Sequence, residues 1–188
     1  RILALETSLT NLGTDSLFNS RKAAVSNESV AVATSSAGGD LGVYQLTVES
    51  LATRHQQISQ GYADTSASVG QGSVTIKVGS ASYPPIEIGP GQSTLSGLRD
   101  AINKADRGVS ASILDTGEAS GSQRYRLVLN SNKTGTSAAL DITFDLADKP
   151  VMSDLSPPQD AVVKFGTGEN AVVVTSSSNT IDDFLPGV

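Results

Sequence analysis

Ser93-Thr94-Leu95-Ser96-Gly97-Leu98-Arg99-Asp100-Ala101-Ile102-Asn103-Lys104-Ala105-Asp106-Arg107-Gly108-Val109-Ser110-Ala111-Ser112-Ile113 changes its apolar spacing once along its length. Leu95, Leu98, Ala101, Ile102 and Ala105 recur at the 3.6-residue period, so they share one face of a helix. Ser93 or Thr94 is the expected N-cap, because a hydroxyl there accepts a bond from an otherwise unpaired first-turn N–H. Gly108 is the expected stop. Immediately after it the period changes to two: Val109, Ala111 and Ile113 alternate with serines, the pattern of a strand with one buried face.

The flanks repeat the period of two. Val74, Ile76 and Val78 alternate before the helix, Gly79-Ser80 turns, and Tyr83 to Ile88 returns past Pro84-Pro85, which mark an edge position. Beyond the helix and a Gly-rich turn at 117–121, Tyr125, Leu127 and Leu129 alternate, then Leu140, Ile142, Phe144 and Leu146. The order β-β-α-β-β predicts an α+β unit, mainly antiparallel, with the helix on one face of the sheet.

Further out the pattern thins. Residues 42–51 predict a strand through Tyr44, Leu46 and Val48. Residues 52–72 are polar and predict a linker, as does the proline-punctuated stretch 150–159. Ala161 to Phe165 and Ala171 to Thr175 flank Gly166-Thr167-Gly168 as a hairpin. Ile2, Leu5, Leu9 and Leu12 predict an amphipathic helix ending at Gly13, too short to separate a coiled-coil helix from an ordinary surface one. Residues 14–40 read mostly as loop.

Composition narrows the function classes. The chain has 188 residues, 27 Ser, 16 Thr and no Cys, so disulfides and thiolate metal sites are excluded. The net charge is −6, and Arg21-Lys22 is the only adjacent basic pair; a nucleic-acid or anionic-membrane partner needs a basic face. No run of 18 apolar residues is present. Ile2-Leu3-Ala4-Leu5 is followed by Glu6 and lacks the charged region of a signal peptide. A start at Arg1 rather than Met points to a cut fragment.

The chemistry of active sites is sparse. His55 is the only histidine, and the expectation is a solvated polar residue rather than a catalytic base. Asp141, Asp145 and Asp148 lack calcium-loop spacing. Asp182 and Asp183 are adjacent and point to opposite sides of an extended chain. Gly89-Pro90-Gly91-Gln92-Ser93-Thr94 lacks the Lys and spacing of a phosphate loop and reads as a turn feeding a capped helix. Asn27-Glu28-Ser29 and Asn132-Lys133-Thr134 are formal glycosylation triplets only. No catalytic, cofactor-binding or metal residue is assigned, and no enzyme activity is expected.

Several segments, in order, resemble one family. Gly42-Val43-Tyr44-Gln45-Leu46-Thr47-Val48-Glu49-Ser50-Leu51-Ala52 is similar to its G-x-Y-x-[IVL]-x-V-x-x-L-A segment. Ser93 to Asn103 followed by Gly108 to Ile113 is similar to the flagellin hook IN motif. Tyr125-Arg126-Leu127-Val128-Leu129 with Ser131 to Gly135 resembles the strand and turn after it. Asp160-Ala161, Ser178-Asn179-Thr180-Ile181 and Leu185-Pro186-Gly187-Val188 resemble the closing segment, and Phe18 to Ala23 the upstream region. The family is flagellar hook-associated protein 2, the bacterial filament cap proteins.

The resemblance implies a structural protein at the distal tip of the flagellum, exported without a cleavable signal peptide. It implies three partners: flagellin, other copies of itself in a ring-shaped homo-oligomer, and hook–filament junction proteins. It also leaves open adhesion to host mucin glycans, or a hook-junction protein that shares the hook IN motif. On this reading residues 1–40 are a helix and connector of a coiled-coil leg. Residues 41–65 and 151–188 form a discontinuous β domain, completed by chain beyond 188. Residues 66–150 form an inserted head, and linkers at 52–72 and 150–159 let the parts move.

Overall fold

Leu95, Leu98 and Ile102 of the helix meet two sheets around one apolar core. The structure is a computed structural model that describes residues 22–35, 41–118 and 121–182. The expected helix at 1–12, the loop at Gly38-Gly39-Asp40 and the closing residues from Asp183 lie outside the described residues. Contacts divide the chain into two units, Thr47–Asn179 and Arg1–Leu46 with Thr180–Val188. In the second of these, the Asn27 side chain accepts from the backbone N–H and hydroxyl of Ser29 at 3.1 and 2.6 Å, closing a local turn.

The first strands are β1 (Leu46–Ser50), β2 (Arg54–Tyr62), β3 (Gly72–Val78), β4 (Ala81–Ser82) and β5 (Ile86–Ile88). Helix α1 (Leu95–Ala105) follows, then β6 (Val109–Asp115), β7 (Tyr125–Thr134) and β8 (Leu140–Leu146). The chain ends with β9 (Met152–Ser156), β10 (Ala161–Phe165) and β11 (Val172–Ser176). They form three sheets: β1-β10-β11, β6-β7-β2-β9, and β3 flanked by β8 on one side and by β4 and β5 on the other.

Helix α1 forms as its period requires. Leu95, Leu98 and Ile102 are fully buried and Ala101 nearly so; full burial of each large apolar side chain is worth about 1.5–3 kcal/mol. Thr94 is the N-cap, its hydroxyl accepting from Gly97 N–H at 3.1 Å. The helix stops earlier than expected. Asp106, not Gly108, takes the left-handed conformation at φ 46°, and its N–H bonds to Asn103 O. Asp tolerates this conformation better than most residues, and Gly108 at φ 73° then turns the chain into β6. The Asn103 carboxamide exchanges two hydrogen bonds with the backbone of Ala111, at 2.7 and 2.9 Å. It thereby satisfies groups on β6, which among the described residues is an edge strand with no partner on that side.

The same core takes Val74 and Ile76 from β3, Ile86 and Ile88 from β5, and Phe144 and Leu146 from β8, with Leu127 and Leu129 from β7. Among the described residues the fold is therefore mostly antiparallel sheet with one helix, as the alternating runs imply. Three local expectations differ. The return strand expected at 83–88 is reduced to β5, with β4 ahead of it, because Pro84-Pro85 supply no N–H to the ladder. The four strands around the helix belong to two sheets rather than one: β6 pairs with β7, and β7 pairs with β2 instead of with β3. The polar stretches 52–72 and 150–159 are not linkers throughout. They contain β2, which pairs with both β7 and β9, and β9 itself.

A hairpin joins β6 to β7, and its base carries an ion pair. Arg124 donates to both oxygens of Asp115 at 2.6 and 2.7 Å, a two-point match of guanidinium and carboxylate, and Gly117 N–H donates to Asp115 at 2.9 Å. These bonds, the Arg124 bond first, hold the Asp115 carboxyl down at about 2. A depressed acid stabilises the fold above its ordinary range and loses that contribution as pH falls through the folded value. The hairpin should therefore loosen between about pH 4 and pH 2, whereas Asp115→Asn should loosen it at every pH. Amide exchange at Thr116 and Gly117, followed against pH in both proteins, measures this.

Candidate functional site

Four chain segments from distant parts of the sequence are stitched together where the three-stranded sheet joins the rest of the larger unit. They are the β1–β2 connection, the end of β7 with the turn after it, the β9–β10 connection and the exit of β11. Thr53 N–H bonds to Gln159 O at 2.9 Å, and Gly135 N–H bonds to Thr53 O at 3.0 Å. The Asn179 carboxamide accepts from Ala52 N–H at 2.7 Å and donates to Ala52 O at 3.0 Å, so a side chain mimics a strand partner. Thr134 Oγ1 donates to Ser177 O at 2.7 Å. Asp160 accepts from the N–H and hydroxyl of Thr136 at 2.7 and 2.8 Å.

Gly135 sits at the closest approach. Its φ is +89°, and a Cβ there would lie 2.5 Å from Ser177 Cβ and 2.7 Å from Asp160 Oδ1. An open cleft of about 510 Å³ lies beside this junction. Its lining is polar, with Arg54 and Lys133 among serine, threonine and asparagine residues.

His55 is where the structure departs most from expectation. It is 5% exposed, not solvated. Nδ1 accepts from Leu140 N–H at 2.7 Å and Nε2 lies 3.0 Å from Asp154 Oδ1. The imidazole thus ties β2 to β8 and β9. Gln57 Nε2 donates to the same Asp154 oxygen at 3.1 Å. These two bonds, that from His55 first, hold the Asp154 carboxyl below the usual carboxylate range. A general base needs a free nitrogen within reach of a substrate proton. Both nitrogens of His55 are engaged with protein groups, so the pair positions backbone and presents no free nitrogen to a ligand.

The remaining sequence candidates are not brought together. Asp141 and Asp145 alternate on the exposed side of β8, and Asp141 pairs with Lys77 at 3.4 Å. Asp182 is exposed, and Asp183 lies outside the described residues. Gly89 to Thr94 forms a short 3₁₀ turn at Pro90–Gln92 leading to the capped helix. The junction residues were missed in the sequence because each serves through a backbone contact, which leaves no spacing pattern.

Comparison with known proteins gives consistent matches. Residues 1–55 match the flagellar hook-associated protein 2 N-terminus, and residues 73–133 match the flagellin hook IN motif. The chain is 34% identical, over its whole length, to the B-type flagellar hook-associated protein 2 of Pseudomonas aeruginosa, of which it covers 43%. It is 32% identical over 97% of its length to flagellar hook-associated protein 2 of Escherichia coli K12, of which it covers 41%. The chain therefore spans less than half the length of these relatives. The crystal structure of the D1-D2-D3 domains of the flagellar cap protein FliD from Escherichia coli superposes with a TM-score of 0.77 at 30% identity, over 96% of this chain and 53% of that one. The D2-D3 domains of the same protein superpose with a TM-score of 0.67 at 30% identity, over 82% and 83%.

Proposed function

The chain belongs to the flagellar hook-associated protein 2 family, and from that membership we propose that it works in the cap at the distal tip of the bacterial flagellar filament. There it promotes polymerisation of flagellin and prevents loss of monomers, as a structural component without enzymatic chemistry. The observation that carries this reading is the likeness, over nearly the whole chain, to the Escherichia coli flagellar cap protein. Its partners on this reading are flagellin, further copies of itself in a closed ring, and the hook–filament junction proteins.

The physics of the task supports the reading. A subunit arriving unfolded exposes apolar surface that aggregates in bulk water. A cap has to shelter it without holding it, and large apolar or aromatic anchors make firm interfaces. This chain has no Trp and 4% aromatic residues, so it offers few such anchors. We place the head insertion with β2 to β9 as the inserted part and β1, β10 and β11 as the carrying sheet. That shifts the expected seam at 65/66 to the junction at Ala52, Gly135, Asp160 and Asn179.

The test is genetic. A strain lacking the gene should release flagellin monomer into the medium and build no filament, and the intact gene should restore both. Filaments of normal length in the deletion strain refute the assignment.

A further inference from the structure

We propose that His55 is a proton-operated clasp, which holds β8 to the β2–β9 edge when neutral and releases it when the imidazole takes a second proton. The clasp rests on geometry and stands apart from the flagellar reading. A backbone nitrogen can only donate, so the 2.7 Å contact from Leu140 N–H requires a lone pair on His55 Nδ1. The ring proton is then on Nε2, donated to Asp154 Oδ1 at 3.0 Å. The hydrogen-bond network thus assigns one neutral tautomer. A second proton can enter only at Nδ1, where it would face the Leu140 N–H. The Nε2 bond to the carboxylate survives that step and strengthens, because both partners are then charged. The ring therefore follows Asp154, and the Leu140 N–H loses its acceptor at a position only 5% exposed.

From β9 the imidazole meets Asp154. Gln57, beside it on β2, is neutral. On β7, Arg126 donates to Ser59 O and Lys133 lines the cleft with Arg54 of β2. At the start of β8, Asp141 is paired with Lys77. The turn Thr136–Ala138, which precedes Leu140, carries no charge. Asp154 is held below the ordinary carboxylate range, so it remains charged between pH 8 and pH 5 and is not the group that switches. Leu140 follows the turn that holds Gly135 and Thr136, so its release loosens the junction as well.

A single histidine makes the test clean. Nuclear magnetic resonance of the protein from pH 8 to pH 5 follows the imidazole C–H signals and the Leu140 amide together. Exchange of the Leu140 amide, corrected for the intrinsic effect of pH, should rise at least tenfold in step with the imidazole signals. Amides of Leu127 and Leu129 should keep their protection. In His55→Gln the carboxamide oxygen can accept from Leu140 and its NH2 can donate to Asp154, yet neither titrates. That variant should keep Leu140 protected throughout. The proposal fails if His55 titrates while Leu140 stays protected, if His55 does not titrate above pH 5, or if His55→Gln shows the same response. Should His55→Gln not fold, the wild-type comparison of the two signals decides alone.

Discussion

Ile102→Ala should lower stability by about 2–5 kcal/mol, the range for truncating a fully buried isoleucine. Ile102 is at 0% exposure on the face of α1 that meets both core sheets. Other members of the same core are held from several directions, Leu98 by the helix and Leu127 and Leu129 by a central strand, which limits how far the core can collapse to fill the void. For a unit of this size the change corresponds to a melting temperature lower by roughly 5–15 °C. Lys104→Ala, on the exposed side of the same helix, should stay within about 0.5 kcal/mol. Thermal unfolding of the two variants side by side checks the assignment. Equal losses would show that α1 does not pack by the face described.

Gly135→Ala should produce an effect of similar size by a different route. Its φ of +89° with ψ of 163° is a conformation that L side chains rarely adopt, at a cost of about 1–3 kcal/mol. The added Cβ also meets Ser177 and Asp160 well inside contact distance, and overpacking adds about 1–3 kcal/mol more. The strain is local, so the junction should yield before the core. Amides of Thr53 and Thr136, which bond to Gln159 and Asp160, should exchange faster by a factor of ten or more. Amides of α1 should change far less. A uniform loss of protection throughout the unit would mean that the junction and the core unfold as one.

Sequence periodicity reaches only the elements that bury apolar side chains regularly. Helix α1 and strands β3, β6, β7 and β8 were legible because leucine, isoleucine, valine and phenylalanine recur at the right interval. Strand β2 was not. Its buried positions include His55 and Ser59, and Ser59 is accommodated because its hydroxyl accepts from Leu127 N–H and donates to Gln60 O. Register shifts between Arg54 and Gln56, and between Ile58 and Gly61, break the alternation further. In β9 only Met152 and Leu155 are apolar, and Leu155 is 54% exposed. The junction was illegible for another reason: Thr53 and Gly135 by their backbone, and Asp160 and Asn179 by their side chains, bond to segments far apart in the chain. Motif resemblance identified the family where physical patterning assigned no functional residue.

Strand β2 has a consequence for the order in which the molecule can assemble. Its neighbours on both sides come late: Gln56 meets Asn130, 74 positions on, and His55 meets Asp154, 99 positions on. Closing loops of that length costs entropy before any pairing repays it, which slows folding. A chain released with its N-terminus first must therefore carry β2 unpaired until β7 and β9 have followed. Few apolar side chains in that strand mean little to attract a wrong neighbour during the delay. Polarity that hides β2 from a periodicity search also makes the wait harmless.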